Sequence, residues 1–365
     1  MGASLTELPS VSVIVPTYKE ALNIPALVER VERVRTKHHL NLEMLIMDDD
    51  SRDGTEEAVA ALNRDWVRLI VRKEDRGLSA AVLDGFRHAQ NEVLLVMDAD
   101  LSHPPETIPE MLCRLRDGAD FVLGSRYIEG GTTEEAWGIL RWLNSKAATL
   151  LARPFTRLKD PMSGFFAIRR SLLDTAAPMN PVGYKIGLEV LVKGRCEKVA
   201  EIPIHFSQRF QGESKLSLRE QVLYLEHLRR LAEYKFGDWT RFAEFCLVGF
   251  SGAFVNLASL TLLIWCAVPV RVAVAIAIFV AMLSNFVLNR RFPFAYAREK
   301  HWLPQLFGFI GASSFGAVAN YGVTLLVLHF WPFTLRFPQI AAAIGILAGM
   351  ASNYLMTRYV VFKKP

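Results

Sequence analysis

Short apolar runs and amphipathic segments alternate along the first 125 residues. The run at 93–96 is apolar throughout, which is typical of a strand that is covered on both faces. At 24–35 the apolar positions recur at helical spacing. This alternation predicts a mostly parallel sheet with helices on both faces. The predicted strands are 12–16, 42–47, 67–71, 93–97 and 121–123, and the predicted helices are 24–35, a segment from residue 55, 79–89 and 106–116.

Two much longer apolar stretches follow in the second half of the chain. Between residues 245 and 289 the only charged residue is Arg271, and between 303 and 357 it is Arg336. Each stretch is about twice the ~20 residues that a membrane-spanning helix needs. The alternative is a pair of buried helical hairpins in a soluble core. We predict four spanning helices, near 245–268, 272–290, 306–330 and 338–361.

The apolar half contains an internal repeat. The Ser-Asn-aromatic sequence at 284–286 recurs at 352–354, and the Gly-Ala-x-x-Asn sequence at 252–256 recurs at 316–320. The four predicted spans therefore form two copies of a two-helix unit. Small residues in these motifs allow helices to pack closely.

Two basic amphipathic segments precede the first predicted span. The segment at 135–155 either packs on the sheet or lies in the membrane interface, and we predict an interfacial helix. The segment at 216–241 leads into the first span. The predicted organisation is a cytosolic α/β domain at 1–215, a juxtamembrane helix at 216–241, and an all-α membrane domain at 242–365 with four transmembrane helices.

Composition and charge agree with a membrane protein. Apolar residues make up 51% of the 365 residues and the net charge is +5, which suits an anionic membrane face and anionic substrates. No basic-aromatic cluster indicates nucleic-acid binding, and no signal peptide opens the sequence. The placement of Lys and Arg predicts that both termini and the α/β domain are cytosolic. The four cysteines are far apart and are expected to be reduced, without a chemical role.

Two carboxylates follow the fourth predicted strand. Asp98 and Asp100 lie where open α/β sheets bind ligands. Their i, i+2 spacing lets both side chains converge on one hard cation. Mg²⁺ or Mn²⁺ is usually held by one or two carboxylates together with substrate phosphates. Taken alone, the pair predicts either a metal–diphosphate site or a solvated turn, and the surrounding motifs favour the metal site.

The ends of the first two predicted strands suit a nucleoside. Tyr18 can stack on a base, and Asp49 can accept a hydrogen bond from a ring N–H. Because these strand ends lie beside Asp98 and Asp100 in the predicted sheet, one crevice is expected to hold all of them. The Asp-Gly-Thr sequence at 53–55 is interpreted as a turn and helix cap.

Short motifs follow one another in order along residues 10–235. They are Pro16-Thr17-Tyr18-x-Glu20, Asp48-Asp49-x-Ser51-x-Asp53-Gly54-Thr55, Gly77-Leu78-Ser79-x-Ala81, Asp98-Ala99-Asp100-x-x-His103-Pro104-Pro105, Gly124-Ser125-Arg126-Tyr127, Asp160-Pro161-x-Ser163-Gly164-Phe165-Phe166, Asn180-Pro181-x-Gly183-Tyr184-Lys185, and Arg209-x-x-Gly212-x-Ser214-Lys215. This part of the chain resembles the GT-A glycosyltransferases of family two, and more narrowly the polyprenol (dolichol) phosphate mannosyl- and glucosyltransferases. The repeat-containing tail resembles the GtrA-like four-span domain.

The resemblance implies roles for individual residues. The implied catalytic residues are Asp98, Asp100, Arg126 and Asp160, although Asp160 either orients the acceptor or is structural. The implied donor-binding residues are Pro16, Tyr18, Glu20, Met47, Asp49, Asp98, Ala99, Asp100, Lys185, Arg209 and Lys215. The implied lipid-phosphate residues are Arg126, Arg209 and Lys215.

The implied metal ligands are Asp98, Asp100 and Ser102. The family often places a Gln where Ser102 stands, so a water, or less favourably His103, would complete the shell of Mg²⁺ or Mn²⁺.

The resemblance also implies an activity, inverting transfer of a hexose from a nucleotide sugar to a polyprenyl or dolichyl phosphate at the cytosolic face. A polyprenyl phosphate is already ionised, so catalysis would depend on alignment and on stabilising the departing diphosphate. The 183–185 and 98–105 segments look closest to the mannosyl branch, which favours GDP-mannose over UDP-glucose. The competing functions are a processive polysaccharide synthase and a lipid-binding or lipid-flipping module with an inactive transferase domain.

Overall fold

The computed structural model describes residues 8–133, 139–180, 182–183, 185–206, 218–335 and 338–363. The chain divides into two units, Met1–Lys235 and Phe236–Pro365. The first unit is α/β and the second is helical.

Seven strands form the main sheet of the first unit. Their order across the sheet is β3-β2-β1-β4-β7-β5-β8, where β7 runs antiparallel to both of its neighbours and the other pairs are parallel. The predicted mostly parallel sheet is confirmed. The strands of the chain are β1 (Val11–Thr17), β2 (Leu42–Asp48), β3 (Val67–Val71), β4 (Val93–Val96), β5 (Phe121–Ser125), β6 (Thr132–Thr133), β7 (Phe166–Arg169), β8 (Val199–Pro203) and β9 (His205–Phe206), with β6 and β9 paired separately.

Helices cover both faces of this sheet. On one face, α1 and α4 pack on Val13, Val15 and Leu95, and on the other face α3 and α7 pack on Ile14 and Val96. All four residues of β4 are buried, as its continuous apolar run predicts. The helices are α1 (Ile24–Lys37), α2 (Thr55–Leu62), α3 (Leu78–His88), α4 (Ile108–Arg116, after a 3₁₀ turn at Pro105–Thr107), α5 (Ile139–Ala152), α6 (Arg170–Asp174), α7 (Ile186–Lys193) and α8 (Leu218–Phe236).

Strand register brings three carboxyl ends to one edge of the sheet. Thr17 at the end of β1 pairs with Asp48 at the end of β2, and Asp48 pairs with Val71 at the end of β3. Beyond β4, the Met97 N–H donates to the Ile14 carbonyl at 3.1 Å. The residues that follow these strands therefore meet around one cleft.

Both predicted amphipathic segments are helical over described residues, as α5 at Ile139–Ala152 and α8 at Leu218–Phe236, and their predicted starts lie outside the described residues. The predicted helix at 216–241 is interrupted at Gly237, whose φ of 52° favours glycine, and a new helix begins at Asp238. In α5, Ala152 is buried, whereas Leu150 and Leu151 are 71% and 45% exposed. The interfacial position of this helix stays a prediction.

The second unit consists of two helical hairpins. Each of the four predicted spans lies largely on a helix. Among the described residues, α9 and α11 are the helices that satisfy both the length and the apolarity needed to cross a bilayer, so four crossings remain a prediction. The helices are α9 (Asp238–Trp265), α10 (Val270–Arg291), α11 (Trp302–Phe330) and α12 (Pro338–Met356), with a π-helical continuation at Thr357–Val361 and 3₁₀ turns at Ala295–Glu299 and Pro332–Leu335.

The repeated motifs occupy equivalent contacts in the two hairpins. Gly252 of α9 lies against the Asn285 side chain of α10, and Gly316 of α11 lies against Asn353 of α12. A Cβ at either glycine would approach these neighbours to less than 3.0 Å. The small residues of the repeat therefore set the closest approach of each helix pair.

Candidate active site

A cleft of about 2120 Å³ opens at the carboxyl ends of the strands of the first unit. Residues that follow β1, β2, β3 and β4 line it, together with residues of α3, α5 and α8. Most of the predicted site residues meet in this one cleft. Those that line it are Pro16, Tyr18, Glu20, Asp49, Asp98, Ala99, Asp100, Arg126 and Lys185.

The two predicted metal-binding carboxylates are held by local hydrogen bonds. The Asp98 N–H donates to His103 Nδ1 at 2.9 Å, so His103 carries its proton on Nε2. Asp100 Oδ1 accepts from the backbone N–H and the hydroxyl of Ser102, at 3.1 and 2.5 Å. Between the two lies Leu101 with a φ of 65°, a conformation that is costly for a leucine and is found at functional sites.

Ser102 does not have the predicted role of a third metal ligand in this structure. Its side chain is almost completely buried, and its hydroxyl donates to Asp100. His103 is also buried, and Phe165 stacks on its ring at 5.1 Å between ring centroids. Ser102 therefore holds the Asp100 carboxylate, and His103 holds the backbone of Asp98.

The remaining oxygen set fits a hard divalent cation. Asp98 keeps 30% of its side chain exposed, and a Cβ on Gly164 would lie 3.6 and 3.7 Å from its two carboxylate oxygens. The glycine therefore leaves the space beside Asp98 open. No group of three or more His, Cys, Asp or Glu side chains among the described residues could hold a metal alone. Phosphate oxygens of a ligand would have to complete the coordination, as is usual for Mg²⁺.

Arg126 lies beside this pair in a two-point ion pair with Asp160. Its Nε and Nη2 donate to the two Asp160 oxygens at 2.7 and 2.8 Å. Burial lowers the pKa of Arg126, but the hydrogen bond and charge of Asp160, with a contribution from Asp98, outweigh it and hold that pKa above its ordinary value. Arg126 is therefore a fixed cation at the wall of the cleft.

Asp160 itself is completely buried. Both of its oxygens bond to Arg126, and Oδ2 also accepts the Arg126 backbone N–H at 3.1 Å. A fully buried carboxylate that bonds to Arg126 through both oxygens favours the structural alternative for Asp160, and its role stays a prediction. The pair fixes the orientation of the Arg126 guanidinium.

The part of the cleft that was predicted to hold a nucleoside contains a network that the sequence did not indicate. The Gly77 N–H donates to Asp49 Oδ2 at 2.7 Å, and the buried Arg72 forms a hydrogen-bonded ion pair with Asp49 Oδ1. Tyr18 is 47% exposed at the same cleft. No sequence signal identifies Arg72, because its contact to Asp49 joins residues 23 positions apart.

One donor-binding prediction is wrong for its side chain. Met47 is fully buried and belongs to the apolar cluster beneath α3, together with Ile14 and Val82. Successive strand residues point to opposite faces, and Met47 faces the core rather than the cleft.

The predicted turn after β2 is confirmed, whereas the predicted helix cap is not, because Gly54 is the N-cap residue of α2 and no side chain caps this helix. Asp53 Oδ1 accepts from the backbone N–H and the hydroxyl of Thr55 at 3.2 and 2.6 Å, and Oδ2 accepts from Ala21 N–H at 3.1 Å. Partial burial alone would raise the pKa of Asp53. The hydrogen bonds from Thr55 and Ala21 have the larger combined effect and hold this pKa below its usual value. Gly54 supplies the left-handed turn with a φ of 95°.

The remaining predicted cationic residues are only partly described. Lys185 precedes α7, and its Nζ donates to the Met162 carbonyl at 3.1 Å. Arg209 and Lys215 lie outside the described residues, so their donor and lipid-phosphate roles stay predictions.

Two family models match the chain in sequence order. One is described as glycosyl transferase family 2 and matches residues 12–176. The other is described as the GtrA/DPMS transmembrane domain and matches residues 244–362.

The chain is similar to curated proteins that share one name, and one of them matches nearly its whole length. A dolichol-phosphate mannosyltransferase of Pyrococcus furiosus is 38% identical over 357 residues, which is 96% of this chain and 99% of the relative. Proteins of the same name from Mycosarcoma maydis and Saccharomyces cerevisiae are 43% and 44% identical over 65% and 62% of this chain, and 83% and 88% of theirs. The structure of a mannosyl-3-phosphoglycerate synthase from Rubrobacter xylanophilus shares the fold, with a TM-score of 0.50 and 19% identity over 63% of this chain and 76% of that one.

Proposed function

The chain belongs to the dolichol-phosphate mannosyltransferase family of glycosyltransferases, and on that premise we propose that it transfers mannose from GDP-mannose to a dolichyl or other polyprenyl phosphate. The observation that carries the proposal is the placement of Asp98, Asp100 and Arg126 in one cleft at the sheet edge. Two carboxylates and a fixed cation suit a nucleotide diphosphate with a divalent cation.

The chemistry follows from the charges in the cleft. The acceptor phosphate is ionised at neutral pH, so its oxygen attacks the anomeric carbon without a strong base, the bond to the diphosphate breaks, and the configuration inverts. Arg126 would stabilise the negative charge of the phosphate groups, and Asp160 would keep its guanidinium aligned. Asp98 and Asp100 would hold Mg²⁺ or Mn²⁺, which supplies further neutralisation of the leaving diphosphate.

We propose the domain organisation and membrane position expected from the sequence. A catalytic domain at 1–215 and a juxtamembrane segment at 216–241, which contains α8 and the break at Gly237, would lie on the cytosolic side, and the domain at 242–365 would cross the membrane four times. Support comes from the match at 244–362 to the transmembrane family model and from the Lys and Arg residues that flank the predicted spans.

A donor panel tests the proposal. Purified full-length protein, polyprenyl phosphate and Mg²⁺ or Mn²⁺ are incubated with GDP-mannose, UDP-glucose or UDP-GlcNAc, and labelled glycolipid is measured. We expect product from GDP-mannose alone. Product from UDP-glucose alone would establish the glucosyl alternative, and no product from any donor would support an inactive transferase domain.

The variant Asp100→Asn identifies the site. Replacing the carboxylate removes one negative ligand and leaves the shape unchanged, so product formation should fall by about 10²-fold or more, with weaker Mn²⁺ binding by electron paramagnetic resonance. The exposed Asp117→Asn is the matched control and should behave as wild type. Full activity of Asp100→Asn, or full activity after chelation, would contradict the assignment.

A further inference from the structure

The proposed chemistry leaves a buried ion pair beside the nucleoside pocket without a function. Arg72 directly follows β3 and Asp49 directly follows β2, and their side chains are only 6% and 9% exposed. Desolvating two charges is costly unless good geometry and further hydrogen bonds compensate. Such a pair at the wall of a binding cleft calls for an explanation beyond packing.

Arg72 contacts three acceptors with three different nitrogens. Nη1 bonds to Asp49 Oδ1, Nη2 donates to the Asp75 carbonyl at 2.8 Å, and Nε lies 3.3 Å from Asp84 Oδ2 on α3. The Gly77 N–H reaches Asp49 Oδ2 at 2.7 Å. The loop between β3 and α3 is therefore hydrogen-bonded to Asp49 at both of its ends, through Arg72 after β3 and Gly77 before α3.

These contacts fix the rotation of the Asp49 carboxylate. One hydrogen bond ends on each oxygen, so turning the group about its Cβ–Cγ bond would break both. A carboxylate has about four lone-pair positions. Both oxygens therefore keep acceptor capacity for a ligand in the cleft that Asp49 lines.

We propose that Arg72 is a positioning residue that holds Asp49 in the orientation that selects guanine over uracil. The Watson–Crick edge of guanine has two adjacent donors, N1–H and the N2 amino group, which match the two oxygens of a carboxylate. Uracil has a single N3–H between two carbonyl oxygens, so only one oxygen of a carboxylate fixed in this way gains a hydrogen bond, and guanine is favoured by the second one. The inference rests on the proposed function, because it explains how the same pocket would select a GDP-sugar.

The variant Arg72→Lys tests this role in the full-length protein. Lysine keeps the positive charge but cannot contact Asp49, Asp75 and Asp84 together. We expect the Kd of GDP, measured calorimetrically with Mg²⁺, to rise about tenfold. The Kd of UDP should change less than about twofold, and the KM of GDP-mannose should rise while kcat stays within about threefold.

Arg68→Lys is the matched control. Arg68 lies on β3, the strand that Arg72 follows, and pairs with Glu43 of β2 at 3.3 Å. It is not among the residues that line the cleft. Its GDP and UDP affinities should equal those of wild type. Asp84→Asn provides a second variant if Arg72→Lys does not fold. It removes one of the three Arg72 contacts, so the Kd of GDP should rise about two- to threefold while the Kd of UDP stays unchanged.

Different results contradict different claims. A wild-type protein that binds GDP no more tightly than UDP contradicts the proposed donor. If the wild-type protein prefers GDP and Arg72→Lys keeps that preference, the role of Arg72 is contradicted. The role is also contradicted if the Kd values of GDP and UDP rise equally in that variant.

Discussion

At the residue scale, the Arg126–Asp160 pair illustrates how burial changes the contribution of an ion pair to stability. Asp160 is fully buried and Arg126 is 11% exposed at its side chain. Removing one partner of a buried pair leaves the other charge uncompensated, which costs about 3–5 kcal/mol. Asp160→Asn should therefore lower the free energy of unfolding by several kcal/mol, and also lower product formation because Arg126 loses its alignment.

The surface of the same unit offers a control with the same chemistry. Arg30 and Glu106 form a two-point pair at 3.1 and 2.7 Å, with side chains that are 30% and 56% exposed. Solvent screens such a pair, so Glu106→Gln should cost at most about 1 kcal/mol. Thermal unfolding and glycolipid synthesis are measured on both variants. If Asp160→Asn and Glu106→Gln lose the same free energy of unfolding, the buried Arg126–Asp160 pair contributes no more to stability than the exposed pair.

At the element scale, the two hairpins of the second unit depend on single glycines. A Cβ on Gly316 would lie 2.8 Å from Asn353 Cβ and 2.8 Å from the Gly349 carbonyl oxygen. Neither atom is the end of a flexible side chain, so the helices must separate. Gly316→Ala should lower the free energy of unfolding in detergent by about 1–3 kcal/mol.

Gly311 provides the comparison on the same helix. A Cβ there meets nothing within 4 Å, so Gly311→Ala should be neutral or gain about 0.5–1 kcal/mol from helix propensity. In the other repeat, the atoms nearest to a Cβ on Gly252 are at the end of the Asn285 side chain, which can move, so Gly252→Ala should cost less stability than Gly316→Ala, and Gly249→Ala should be tolerated. A Gly316→Ala protein that unfolds at the same temperature as Gly311→Ala would disprove close packing at this glycine.

Elements were easier to predict from the sequence than the partners of side chains. The apolar run of β4 and the Asp-Gly-Thr turn at 53–55 indicate their structure locally, and both are confirmed. The antiparallel β7 has four residues and pairs with distant strands, so no local pattern indicates its place in the sheet. The contact of Arg72 with Asp49 and the burial of Met47 were not predictable for the same reason. The pairing of distant strands decides which side chains face the cleft and which face the core.

At the scale of the whole molecule, the charge is unevenly distributed. The second unit has ten Lys or Arg residues and three Asp or Glu residues, a net charge of +7, whereas the whole chain carries +5. Most of the basic residues lie at 290–300 and 358–364, where α10 ends and α12 is followed by the C-terminus. The connections at 266–269 and 331–337 contain one Arg between them. By the positive-inside rule, we expect the basic ends to be cytosolic and these connections to lie on the opposite side of the membrane.

Cys266 makes this orientation measurable. It is exposed and follows α9 directly, in the first of the two connections. We expect a membrane-impermeant maleimide to label a variant that retains only Cys266 when the reagent is added to the non-cytosolic side of sealed membranes. Cys196 would add little background even if retained, because burial and the charge of Asp120 raise the pKa of its thiol to about 12.

A cysteine introduced into the basic connection is the matched control. Glu299 is exposed within the 3₁₀ turn at Ala295–Glu299, so Glu299→Cys in a background without other cysteines should react only after the membrane is permeabilised. The contrast between the two positions depends on an odd number of crossings between residues 266 and 299, which α10 supplies if it spans the bilayer. Labelling of both cysteines from the same side would exclude that crossing, and labelling with the sides reversed would place the catalytic cleft away from the cytosol and its nucleotide sugars.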